Sequence, residues 1–138
     1  MFDIVHELDI AAPPDQVFAA LTAQEGLAAW WTPDVTTTAA LGSEAVFGLG
    51  DHQVLKVRIE AVDAPELVHW SVLHGPDEWP GTAIAFRIEA GEVGTSSVVR
   101  LWHGNWQYEN GVLPRASFAW AHDLDRLRQY LETGEPQV

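Results

Sequence analysis

Proton transfer and metal binding in this chain would fall to six histidines and twenty carboxylates, because no cysteine supplies a thiolate, a disulfide or a Cys-ligated zinc. His103 is the best placed of them. Val99, Leu101 and His103 share a strand parity opposite to Arg100 and Trp102, which turns the imidazole toward an apolar interior. There it could exchange a proton or a hydrogen bond with a bound carbonyl near neutral pH. The same position suits a core histidine satisfied by a backbone carbonyl or a neighbouring side chain. General acid–base work needs a second group, and His74 and Glu109 are the candidates. His69 and His74 are five residues apart, so a strand puts them on opposite faces and they cannot grip one metal together. His122 and Asp123 are neighbours on a helix and diverge. Ser43, Ser71, Ser96, Ser97 and Ser117 have no nucleophile-elbow sequence around them. Gly48-Leu49-Gly50 leads into a strand and lacks the later glycine of a nucleotide-binding loop, so it punctuates a hairpin. The carboxylates are spread rather than grouped, as on a solvated surface. Neither a metal nor a cofactor is expected.

Tryptophan is the other unusual resource. Trp30, Trp31, Trp70, Trp79, Trp102, Trp106 and Trp120 are seven in 138 residues, and each needs a core or a ligand to cover it. Trp102, on the outward parity, suits a partner surface. Trp79 and Trp106 lie beside turns, where a lid or a subunit contact is plausible. The remaining composition is that of an ordinary globular chain, 47% apolar and 20% charged. Its length gives one domain over 1–138. Seven cations against twenty anions give a net charge of −13, a field that repels phosphate backbones and anionic headgroups, so neither nucleic acid nor a membrane is an expected partner. The beginning shows no basic stretch followed by an apolar one, and no run approaches the length of a membrane span. A cytoplasmic location is expected.

These residues must be positioned by a particular order of elements. Phe2 to Ile10 alternates as a strand, with His6 on the apolar side. Pro14-Asp15 opens a helix that buries Val17, Phe18 and Leu21. Gln24 to Trp31 makes a second short helix, stopped at Thr32-Pro33, whose exposed end carries Trp30 and Trp31. From Ser43 the period is two for about sixty residues, the mark of an antiparallel meander: strands are expected at Ser43–Gly48, Gln53–Val62, Leu67–His74, Thr82–Glu89 and Thr95–His103. Leu55, Val57 and Ile59 face inward, as do Ile84, Phe86 and Ile88, whereas the parity of Leu67–His74 is ambiguous. A long helix from Arg115 to Glu132 carries Leu113, Ser117, Trp120, Leu124, Leu127 and Leu131 on one stripe. The class is α+β: a curved antiparallel sheet of six or seven strands wrapped around the last helix, with two short helices after the first strand.

Four segments carry a family resemblance. They are IAAPPDQVFAALT from Ile10, LAAWW from Leu27, LWHGNW from Leu101 and WAHDLDRLRQYLETG from Trp120. In that order and spacing they resemble the START/SRPBCC superfamily with its helix-grip fold, and more narrowly the homologues of the activator of heat-shock protein 90 ATPase. The resemblance implies a cavity between the concave sheet face and the C-terminal helix that holds an apolar compound. In this sequence it would be lined by Phe47, Val57, Ile59, Ile84, Phe86, Leu101 and His103 and roofed by Trp120 and Leu124. Trp31 would stand at its mouth, and Trp70 is among the tryptophans able to stack on a ligand. The fold hosts several functions. The leading expectation is a small-molecule binding module, possessing no chemistry of its own. The alternatives are a cofactor-free cyclase, dehydratase or hydrolase using His103, and a stress-related co-chaperone acting on a heat-shock ATPase. The outward Trp102 adds the expectation of a homodimer.

Overall fold

The computed structural model describes every residue from Met1 to Val138. Strand β1 (Phe2–Ile10) is followed by helices α1 (Pro14–Thr22) and α2 (Gln24–Trp30) and by β2 (Val35–Thr36). Strands β3 (Glu44–Gly48), β4 (Val54–Asp63), β5 (Leu67–His74), β6 (Ala83–Ala90) and β7 (Ser97–Trp106) come next, then helix α3 (Leu113–Thr133). The strands form one antiparallel sheet in the order β1-β7-β6-β5-β4-β3-β2. The chain therefore leaves β1, crosses to the far edge through α1 and α2, and walks back until β7 pairs with β1. Helix α3 then lies across the concave face. No helix is long and apolar enough to cross a membrane.

Alternation decides which side chains go inside. Leu55, Val57 and Ile59 of β4, Ile84, Phe86 and Ile88 of β6, and Val99, Leu101 and His103 of β7 are all buried, as their parity requires. The ambiguous strand resolves in favour of its even positions. Val68, Trp70 and Val72 are inside, while His69 and Ser71 stand half-buried on the outer face and Leu73 is exposed. On α3 the buried stripe is Ala116, Trp120, Leu124 and Leu127, and Ser117 meets His6 of β1 at 3.2 Å.

Three features depart from the expectation. Strand β2 is too short for periodicity to reveal, and it exists because Val35 pairs with Phe47 at the sheet edge. Strand β7 runs on to Trp106, since Asn105 takes a φ of 69° and the ladder with β1 shifts register there, in the manner of a bulge. The third correction concerns Trp30 and Trp31, which are 0% and 7% exposed rather than displayed at a helix end. The Trp30 indole donates to the Ala20 carbonyl at 2.8 Å, pinning α2 against α1 and turning its last residues inward.

That helix contact rests on Gly26. A Cβ there would come within 2.7 Å of the Ala20 Cα, a backbone atom that cannot step aside. Gly26→Ala is therefore expected to destabilise the protein by about 1–3 kcal/mol, measured by denaturant unfolding, despite the better helix propensity of alanine. An unchanged midpoint would mean that α1 and α2 separate easily.

Candidate functional site

Between the sheet and α3 the side chains meet as a continuous aromatic cluster. The Trp31 ring lies 4.6 Å from Phe47, 5.3 Å from Trp120, 5.7 Å from Trp30 and 6.2 Å from Trp70, centroid to centroid. Its plane is within 5° of parallel to Trp70. Phe86 stands edge-on to both Trp70 and Trp120 at 5.5 and 5.9 Å. Every residue expected to line the interior is in this region and none is more than 7% exposed. Trp31 is thus part of the packing and not a rim residue. Beside the cluster, a crevice of about 10 Å³ is bordered by Leu27, Ala45, Ile59, Val68 and Trp70, space for about one water molecule.

His103 sits at one end of this cluster with every polar atom engaged. The Trp120 indole N–H donates to its Nδ1 at 2.9 Å, so Nδ1 is the lone-pair nitrogen and the proton resides on Nε2. Nε2 then donates to the Thr82 hydroxyl at 2.8 Å, which itself donates to the Trp79 carbonyl at 2.6 Å. The Trp106 indole donates to the His103 backbone carbonyl at 2.9 Å, and the rings of Trp79 and Trp106 lie 4.8 and 4.6 Å from the imidazole. Burial in this shell lowers the His103 pKa to about 3, because no anion repays the loss of hydration of an imidazolium. At neutral pH the ring is neutral, in one tautomer, and its two nitrogens are taken. His74 and Glu109 lie exposed on the surface. His74 borders a hollow of about 480 Å³ together with His52, Asp77 and Val112, and neither residue is a partner of His103.

Two partners of His103 escaped the sequence reading. Thr82 shares the inward parity of Ile84 and Phe86 at the start of the expected strand, but nothing in that parity names His103 as its partner, and Trp79 comes from the turn between β5 and β6, where alternation gives no direction. That turn is held by Glu78, whose carboxylate accepts from the Val112 backbone N–H at 3.2 Å, at the start of α3 where the helix dipole favours an anion. On the other side of the cluster, Asp123 of α3 faces Arg126 at 2.5 Å. Burial raises its pKa, and the Arg126 guanidinium and the Trp31 indole oppose that rise. No group of three or more His, Asp or Glu side chains is arranged to hold a metal.

A curved antiparallel sheet gripping a long C-terminal helix, with an aromatic interior between them, defines the helix-grip class of α+β domains. Within it, the family model for activator of Hsp90 ATPase homolog 1-like protein matches residues 11–132, and the chain belongs to that family. The Aha1 dimer from Colwellia psychrerythraea, known from its solution structure, is 30% identical, with 97% of this chain and 98% of that one covered and a TM-score of 0.87. CalU16 from Micromonospora echinospora is 20% identical over 98% of this chain and 76% of that one, with a TM-score of 0.76. DynU16, a putative protein in the dynemicin biosynthetic locus, is 19% identical over 97% of this chain and 48% of that one, at 0.81. The latter two likenesses show the fold alone. No curated protein matches the sequence significantly.

Proposed function

We propose that the chain is a binding module for a small apolar, planar molecule, accommodated between the sheet and α3 without chemical conversion. The observation that carries this reading is the parallel pair Trp31 and Trp70, 6.2 Å apart, inside an interior lined almost wholly by apolar and aromatic side chains, as small-molecule sites are. The interior is filled in this structure, with only a crevice of about 10 Å³ beside the rings. Carbon atoms in contact lie about 3.5–4 Å apart, so a ring inserted between the two indoles needs them to separate to about twice that. Apparent affinity is therefore reduced by the fraction of molecules that open. His103, neutral and fully bonded, supports a fixed wall rather than an acid–base catalyst.

Fluorescence titration of the protein with a library of neutral polycyclic aromatics is the test, with native mass spectrometry of the protein from its own host to find the natural occupant. Saturable quenching at one molecule per chain is expected. Its midpoint should not move with added salt, because screening acts on exposed charges. Absence of quenching across the library, together with an empty native protein, would overturn the proposal.

A second reading is favoured by the 30% identity to a protein described as an Aha1 dimer: a cytoplasmic co-chaperone that pairs with itself and stimulates a heat-shock ATPase. Sedimentation of the free chain and an ATPase assay with the chaperone decide it. A monomer without stimulation at saturating protein removes the idea.

A further inference from the structure

The outer face of the sheet carries a site of different chemistry. Register pairing runs His69–Ala85–Trp102–Val5 across β5, β6, β7 and β1, and the next rung runs Leu67–Arg87–Arg100–Glu7. Six of these residues, Leu67, His69, Ala85, Arg87, Arg100 and Trp102, enclose a groove of about 340 Å³, in the range of small-molecule sites. Arg87 and Arg100 are directly opposite each other, an arrangement of like charges that is unfavourable on a sheet face. Thirteen surplus carboxylates (20 − 7) are available in the chain to neutralise them, yet Arg87 is in no ion pair. Arg100 has only Glu7 at 3.7 Å, with both side chains more than half exposed. Two guanidinium forks side by side present the donor geometry that a carboxylate accepts.

One rung away the groove is aromatic. Trp102 lies over Gly104, where an added Cβ would fall 2.0 Å from the indole ring, so the ring is seated by a glycine that leaves it room. His69 meets it edge-on at 6.4 Å across the small Ala85. A seated indole beside two cations offers stacking and charge at a separation of one rung, with little side-chain freedom lost on binding. Surrounding carboxylates limit what can enter. Glu7 and Glu89 flank the arginines on their own face, and a chain of net charge −13 repels polyanions.

We infer that this groove binds an aromatic monocarboxylate, its carboxylate between Arg87 and Arg100 and its ring against Trp102. The site is separate from the interior site proposed above and opposite to it in salt response: screening weakens binding here.

The test is titration of the full chain with 1-naphthoate, followed by amide and indole NMR shifts, with 1-naphthalenemethanol and inorganic phosphate as comparison probes. Saturable shifts at Trp102 and Ala85 are expected, with Kd rising at least tenfold on Arg87→Gln and weakening as salt is added. The neutral alcohol should bind at least tenfold more weakly than the acid, and phosphate should not compete effectively. Equal binding of acid and alcohol, effective competition by phosphate alone, or an R87Q variant that titrates as the wild type would each overturn the inference. So would shifts confined to Trp31, Trp70 and Trp120, which would instead support the interior site; Arg87→Gln is exposed and leaves the core intact.

Discussion

Acidification from pH 6.5 toward pH 3 is expected to remove several kcal/mol of stability through His103 alone, and His103→Gln is expected to abolish that part of the pH dependence. The sign follows from the direction of the shift. His103 has a pKa of about 3 in the folded protein against 6.5 for the free side chain, so between those values the unfolded chain binds a proton that the folded one refuses. The stabilisation is complete above pH 6.5, falls by about 1.4 kcal/mol per pH unit below it and is exhausted near the folded pKa. Over the whole window the loss is on the order of 4–5 kcal/mol. Asp123 works the other way. Its folded pKa is raised, so protonation favours the folded state as pH falls, a contribution that wild type and H103Q share and that their difference removes between pH 6.5 and 5. Urea unfolding at half-unit steps there should show a difference in slope between wild type and H103Q of about 1.4 kcal/mol per pH unit. Nitrogen shifts of the imidazole give an independent readout, with Nε2 protonated and Nδ1 bare down to pH 5. A doubly protonated ring at pH 5, or identical slopes, would show that the shell around His103 admits water.

The inward direction of that imidazole was legible because β7 alternates without interruption from Ser97 to His103. The same holds for Leu55, Val57 and Ile59 and for the Trp120, Leu124 and Leu127 stripe: period and parity state which way a side chain points. They do not state how far it reaches. Whether rings projecting from β5, β6, α2 and α3 leave a space or fill it depends on distances of a few ångströms between elements remote in sequence, so the closed packing of Trp31, Phe47, Trp70 and Trp120 was beyond any periodic argument. Trp30 and Trp31 went astray for a related reason. The helix ends there, and only the Ala20 carbonyl, reached through the close approach at Gly26, determines that the chain turns inward. Trp79 belongs to a turn, where direction follows from backbone torsions such as the φ of 71° at Glu78. The outer groove was half visible. The outward parity of Trp102 followed from β7, but the opposition of Arg87 and Arg100 requires the β6–β7 register, which a one-residue slip would have changed.

Trp120→Ala should be the most damaging single substitution in the protein. Trp120 is 1% exposed and packs on Trp31, Phe86 and His103, so loss of the indole should cost about 3–5 kcal/mol through lost burial and the cavity left behind. It also strips His103 Nδ1 of its donor, leaving a buried acceptor unpaired at about 1–3 kcal/mol. Trp120→Phe separates the two contributions, because it keeps a ring in place and loses the N–H; its cost should be mainly the second. The unpaired Nδ1 would then seek a proton, so W120F should also shift the His103 titration upward. The cavity left by the indole is lined by aromatic rings and by the bare His103 Nδ1, so an aromatic guest that carries an N–H can refill it. Added indole should therefore raise the melting temperature of W120A more than that of W120F or wild type. Denaturant unfolding of the two variants, with and without indole, provides the measurement. If W120A instead unfolds at the wild-type midpoint and loses only the response to neutral aromatics, Trp120 is a ligand contact on a mobile wall. The core must then be held by the sheet, α1 and α2 without it.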